Sequence, residues 1–131
     1  FRKETGINTY FQHQCDTIQL PPETEGHLLR VIQESLVNIR KHSQAQNVRI
    51  LTNCLENQRF WVLIEDDGIG FDTEQNILPI EGEHIGLSAM QQRMEAIGGT
   101  LEIESEPGEG TRISITGAVK EQNEEDIFAL L

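Results

Sequence analysis

Apolar and polar positions alternate along parts of this chain and recur at helical spacing along others. Residues 7–14, from Ile7 to Gln14, read as a first strand. Pro21-Pro22 then breaks the chain, and Thr24 or Glu23 is placed to cap a helix. From 24 to 43 the spacing is helical, with Leu28, Leu29, Ile32, Leu36 and Ile39 on one stripe. Residues 47–55 and 60–66 alternate instead. Val48, Ile50, Thr52 and Cys54 share one face of the first, and Phe60, Val62, Ile64 and Asp66 share one face of the second. The polar stretch Glu56-Asn57-Gln58 joins them as a hairpin loop. Residues 71–84, with Pro79 and Gly82, are loop-like. A second helix over 85–97 carries Leu87, Met90, Met94 and Ile97 on one side, and Gly98-Gly99 stops it. Strands over 100–105 and 111–119 follow, joined by the turn Glu106-Pro107-Gly108-Glu109-Gly110.

The element order is strand, helix, two strands, loop, helix, two strands. Short turns between neighbouring strands predict mostly antiparallel pairing in a mixed sheet. Two helices with one apolar stripe each predict a single helical layer on one face of that sheet. The fold class is therefore α+β, a two-layer α/β sandwich. The domain is expected to span residues 1–119. An acidic tail over 120–131 ends in Ile127, Phe128, Leu130 and Leu131.

A chain of 131 residues suffices for one domain with a real core. The formal net charge of −12 argues against a nucleic-acid partner. It also means that any polyphosphate must be received by local positive groups and a divalent cation. The two cysteines, Cys15 and Cys54, lack C-x-x-C spacing, and the expectation is buried, reduced thiols in a cytoplasmic protein. No apolar run is long enough to span a bilayer. The chain opens Phe1-Arg2-Lys3-Glu4, unlike a signal peptide, so it reads as an excised domain, with room for a membrane anchor outside it.

Candidate chemistry concentrates at three places. Glu34 and Asn38 sit one helical turn apart, and Lys41 and His42 extend that face. Asn38 offers a neutral carbonyl oxygen suited to Mg²⁺. Lys41 offers a point charge for phosphate oxygens. Glu34 is placed as a general base or to orient a metal-bound water. The plainer reading is a solvated helix face. Asp66 continues the inward face of its strand, and a carboxylate aimed at a core is costly unless satisfied. Gly68 and Gly70 follow and leave room for a flat ligand against the backbone. An adenine amino group would satisfy Asp66. The plainer reading is a turn ending a strand. Thr111 lies in phase with Ile113 and Ile115, so its hydroxyl also points inward, where it can bridge to Asp66 and the base. His42 and His84 border this pocket, whereas His13 and His27 read as surface or partly buried. No histidine makes metal-ligand spacing with a cysteine or another histidine. A dinucleotide fold is excluded, because a helix does not open directly after Gly70.

Taken in order, these motifs resemble the catalytic, ATP-binding domain of bacterial two-component sensor histidine kinases, in the gyrase–histidine kinase–MutL ATPase superfamily. The branch that includes nitrate/nitrite sensors and the thermosensor DesK is the most similar. Leu29 to Ser43 resembles its N box, Ile64 to Phe71 its G1 box, His84 to Arg93 its G2 region, and Ser105 to Thr111 the closing P-G-x-G-T segment. The likeness implies a Bergerat-type sandwich that binds Mg²⁺ and ATP. Asn38 would contact Mg²⁺ and Asp66 the adenine. Gly68, Gly70, Gly86 and Leu87 would shape pocket and lid, and Thr111 would support the adenine contact. Glu34, Lys41 and His42 would form the catalytic set.

The likeness also implies partners. These are the dimerisation and phosphoacceptor domain of the same protein, and a response regulator downstream. It implies a homodimer in the full-length protein, a monomeric fragment, and a cytoplasmic location beneath a bacterial inner membrane. No histidine here has the E-L-H-D context of that branch's phosphoacceptor, so the acceptor is expected N-terminal to Phe1. Two departures stand out. Asp67 replaces the usual Asn of the G1 box, which is expected to add charge near the nucleotide and weaken binding modestly. The G2 stretch lacks a second glycine, so the lid is short. Related readings are an anti-sigma-factor-type serine kinase, a gyrase-like ATPase, and a non-catalytic interaction module of the same fold.

Overall fold

The computed structural model describes residues 6–14, 20–55, 59–73 and 87–118. The elements are β1 (Asn8–His13), α1 (Pro22–Asn38), one turn of π-helix (Ile39–Ser43), β2 (Asn47–Leu55), β3 (Arg59–Asp66), α2 (Leu87–Ala96), β4 (Thr100–Ser105) and β5 (Thr111–Ala118). The five strands form one sheet in the order β1-β2-β3-β5-β4. β1 runs parallel to β2, and the other pairs are antiparallel. The two helices lie on one face, so the α+β sandwich with a mixed, mostly antiparallel sheet is borne out.

The period-2 faces read from the sequence are the faces that pack. Ile50 pairs with Ile64, Val62 with Ile115, and Ile64 with Ile113. These side chains are buried against Leu28, Val31, Ile39, Leu87, Met90 and Met94 of the helical layer. Removing them from water supplies the main stabilisation, roughly 1.5–3 kcal/mol for each large apolar side chain. Gly117 stands opposite Phe60 in β5, and a Cβ there would sit 2.5 Å from the Phe60 ring. The missing side chain is therefore what seats that aromatic.

The first helix differs from its expected stripe. Its buried residues are Leu28, Val31 and Ser35, continued by Ile39, whereas Leu29 is 49% exposed. The i, i+3, i+4 progression through 28, 31 and 35 sets the buried face, and Leu29 lies about 100° from Leu28 around the axis. Ser35 is tolerated in the core because its hydroxyl donates to the Val31 carbonyl at 2.8 Å. The cap differs too. Pro21 is the N-cap residue, no side chain caps the helix, and Thr24 and Glu23 lie inside it. Pro22 takes the first helical position, where its missing N–H costs nothing, and Glu23 and Glu25 complement the dipole in the first turn.

α2 ends as read. Gly98 has φ 71°, its amide donates to Glu95, and the Gly99 amide donates to Met94, a Schellman motif. The cysteine expectation is overturned, because Cys54 is disulfide-bonded. Cys54 lies on β2, which β1 flanks in parallel register from Asn8↔Asn47 to His13↔Thr52. Cys15 itself lies outside the described residues, as does the tail after Ala118.

Candidate functional site

A cleft opens where α1, the π-turn, the start of α2 and the ends of β3, β4 and β5 meet. The space it encloses is small, about 40 Å³, below the usual range of small-ligand pockets. Asn38, His42, Asp66, Gly70, Leu87 and Thr111 all line it. Its floor is apolar, made by Ile39, Phe71, Met90, Ile103 and Ile113. Polar groups from four separate elements thus converge on one mostly apolar hollow.

Asp66 and Thr111 are direct partners in the β3–β5 register, at adjoining strand ends. Burial pushes the Asp66 carboxyl up to about 6, with the Asp67 charge adding to the effect and the Gly68 amide opposing it. That amide donates to Oδ1 of Asp66 at 2.8 Å. A half-buried carboxylate with one such donor is short of partners, which suits a ligand bearing N–H groups.

The glycines beside Asp66 serve the protein's own backbone. A Cβ on Gly68 would lie 2.2 Å from the Ser43 carbonyl, and one on Gly70 would lie 2.1 Å from the Glu106 carbonyl. One on Gly110 would lie 2.3 Å from the Asp66 carbonyl. Gly70 and Gly110 also have φ of 65° and 78°. The end of the π-turn, the Asp66–Phe71 loop and the 106–110 turn therefore press together without side chains between them. The Ile69 amide donates to Ser43 at 2.7 Å, and the Gly108 amide donates to Ile69 at 2.5 Å. The room at Gly68 and Gly70 that sequence reasoning reserved for a ligand is occupied by these carbonyls. Gly70 borders the cleft, and Gly68 is not among its lining residues.

The polar helix face is split. Asn38 and His42 reach the cleft, while Glu34 and Lys41 are exposed and do not line it. For Lys41 the cause is the π-turn over Ile39–Ser43, whose wider winding turns it away from the Asn38 face, whereas Glu34 precedes that turn. Asp67 makes further bonds of its own. Its Oδ1 accepts from the Gln46 and Asn47 amides, both at 2.9 Å, and its Oδ2 from the Asn47 side chain at 2.7 Å. Those bonds hold its carboxyl below the usual range. Asp67 thus braces the turn into β2, and its charge also helps raise the Asp66 carboxyl. Gly86, His84 and the greater part of the expected lid lie outside the described residues. Among the described residues no cluster of three His, Cys, Asp or Glu side chains is arranged to hold a metal. Also among them, no helix is long and apolar enough to cross a membrane.

Sequence reasoning missed Ser35, Ser43 and Ser105. Ser35 and Ser43 line the cleft, and each donates to the carbonyl four residues earlier, at 2.8 Å. Serine at a core position of a helical pattern was the signal available. Ser105 touches three groups at the cleft's edge, and its position at the end of β4 opposite Thr111 was the signal for it.

The sequence profile described as histidine kinase-, DNA gyrase B- and HSP90-like ATPase matches residues 23–121. An uncharacterized sensor-like histidine kinase of Chloroflexus aurantiacus is 38% identical over 101 residues, which are 76% of this chain and 17% of that protein. The nitrate/nitrite sensor protein NarQ of Escherichia coli is 33% identical over 128 residues, 97% of this chain and 22% of that protein. A solved blue-light activated histidine kinase of Erythrobacter litoralis superposes with a TM-score of 0.71 at 26% identity, over 88% of this chain and 36% of that one. The chain thus spans well under half the length of these relatives.

Proposed function

This chain belongs to the histidine kinase-, DNA gyrase B- and HSP90-like ATPase family, and we propose that it is the ATP-binding catalytic domain of a two-component sensor histidine kinase. In this reading residues 1–119 form the domain and 120–131 a tail. The γ-phosphoryl group of Mg-ATP passes to a histidine on a dimerisation domain of the same protein, and from there to a response regulator. The observation that carries the reading is the convergence of Asp66, Thr111, Asn38 and His42 on one apolar cleft.

The cleft divides by chemistry. At the strand end, Asp66 accepts from the exocyclic amino group of adenine, and the apolar floor takes the flat ring. At the helix end, Asn38 and His42 meet the phosphates. A single neutral carbonyl oxygen, with no acidic cage among the described residues, fits Mg²⁺, which keeps its waters and is shared with substrate phosphates. When bound, the ion neutralises charge on the transferring group. Asn38 fixes where that charge sits. Glu34 and Lys41, exposed at the outer edge, meet an acceptor that arrives from solvent. Glu34 takes the imidazole proton, and Lys41 offers a charge to the phosphoryl oxygens. Catalysis is then mainly positioning and electrostatic stabilisation.

Labelled Mg-ATP mixed with this chain and its dimerisation helices, supplied as a separate polypeptide, tests the proposal. Acid-labile phosphohistidine is expected on the helices, formed slowly because the tether is absent. The chain itself is expected to remain unlabelled. Label on His13, His27, His42 or His84, or on a serine of another protein, contradicts it.

A further inference from the structure

Asp66, Thr111 and Ser105 form one row across three strands, since Thr111 is the register partner of Asp66 in β3 and of Ser105 in β4. Ser105 has three polar neighbours. The Phe71 amide donates to its Oγ at 3.0 Å. The Gly110 carbonyl lies 2.8 Å from the same atom, and Thr111 Oγ1 lies at 2.9 Å.

A serine hydroxyl has one proton and two lone pairs. The Phe71 N–H occupies one lone pair. The Gly110 carbonyl can only accept, so it takes the Ser105 proton. The second lone pair is then left for Thr111, which must be the donor in the hydroxyl–hydroxyl bond. With its only proton committed to Ser105, Thr111 shows the cleft nothing but lone pairs. Beside it, Asp66 shows carboxylate oxygen. The polar row at the strand end is thus acceptor-only.

We infer that Ser105 is a positioning residue that fixes the hydrogen-bond polarity of Thr111, so that the site takes a purine bearing an amino group in preference to its keto counterpart. The inference rests on the adenine reading of the cleft given above. Adenine brings N–H donors to this row, directly or through a bridging water. Hypoxanthine brings a keto oxygen to the same place and sets acceptor against acceptor. A serine that merely tied the 106–110 turn to Phe71 would support every nucleotide equally.

Calorimetric titration of the whole chain with Mg-ADP and with Mg-inosine diphosphate separates these roles. Four variants are needed: Ser105→Ala, Ser105→Thr, Thr111→Val and the double variant Ser105→Ala with Thr111→Val. Ser105→Ala frees the Thr111 proton, so ADP is expected to weaken by about fivefold, the worth of one hydrogen bond. Inosine diphosphate should hold or tighten, and the ratio between the two should narrow. The double variant should bind ADP no worse than Thr111→Val alone, because Ser105 acts through that hydroxyl. Ser105→Thr should restore the wild-type ratio. Equal losses for both nucleotides in Ser105→Ala, or losses that multiply in the double variant, overturn the inference. Should Ser105→Ala fail to fold, Ser105→Cys replaces it, because a thiol donates and accepts weakly. A narrowed ratio then supports the inference and an unchanged one overturns it. A wild-type chain that binds neither nucleotide shows that the adenine reading has failed, and the inference falls with it.

Discussion

The Gly68 amide donates to Oδ1 of Asp66 at 2.8 Å, satisfying one oxygen of a carboxylate that burial pushes up to about 6. The strand end therefore holds a charge that the folded chain solvates poorly. In an unfolded chain the same group titrates near 3.8. Between those values the folded state binds more protons than the unfolded state, so stability falls as pH rises through that window.

Replacing Asp66 by Asn removes the buried charge and keeps an oxygen for the Gly68 amide. At pH 8 the ligand-free Asp66→Asn variant should be more stable than wild type, by about 1–2 kcal/mol once partial exposure is allowed for. The difference should vanish below pH 4, where both are neutral. ADP affinity should drop at least about tenfold, because a charged acceptor is lost. Thermal melts across pH, paired with ADP titration, check both halves.

Gly70 and Gly98 both have positive φ, yet only Gly70 is crowded by backbone, since nothing lies within 4 Å of a Cβ on Gly98. Gly98→Ala should cost about 1 kcal/mol from the left-handed backbone alone. Gly70→Ala adds the clash with Glu106 and should cost about 2–4 kcal/mol. Urea denaturation of the two variants separates strain from crowding, and equal costs would refute the tight three-segment junction.

Asp67 holds the turn into β2 with its carboxyl below the usual range, so its contribution is present above pH 4 and is lost as pH falls further. Asp67→Ala should destabilise the chain by about 1 kcal/mol, since the site is exposed. Asp67→Asn should keep the two backbone bonds. ADP affinity should change by less than about twofold in either, in keeping with the loss of one exposed, screened charge. A large gain in affinity on neutralising Asp67 would restore the view that it opposes the nucleotide directly.

Asn38→Ala should remove most of the enhancement of nucleotide binding by Mg²⁺, because in the proposed reading its oxygen is the neutral metal ligand. Metal-free ADP should bind nearly as before. Titrations with and without Mg²⁺ decide the point, and an unchanged enhancement would make Asn38 an ordinary helix-face residue.

What the sequence could and could not disclose follows from the range of each interaction. Strand faces were legible because alternation is local, and it placed Asp66 and Thr111 on the inward side before their pairing was known. The Schellman end of α2 was legible because Gly98-Gly99 sets it alone. The exposure of Lys41 was not, because a π-turn keeps the helical pattern of residue types while changing their direction. Gly68 and Gly70 announced close approach, but their partners are carbonyls at Ser43 and Glu106, far along the chain. Ser105 was hidden for the same reason, since strand register makes its neighbours.

The most direct test of the account is calorimetric titration of the chain with Mg-ADP against Mg-GDP. In the proposed reading Asp66 accepts from the amino group of adenine, whereas guanine presents a keto oxygen at that position. Two facing acceptors in a partly buried site cost about 2–4 kcal/mol. The account predicts saturable ADP binding at one site per chain and GDP binding weaker by at least about thirtyfold. Equal affinities, or no binding of ADP, would contradict it.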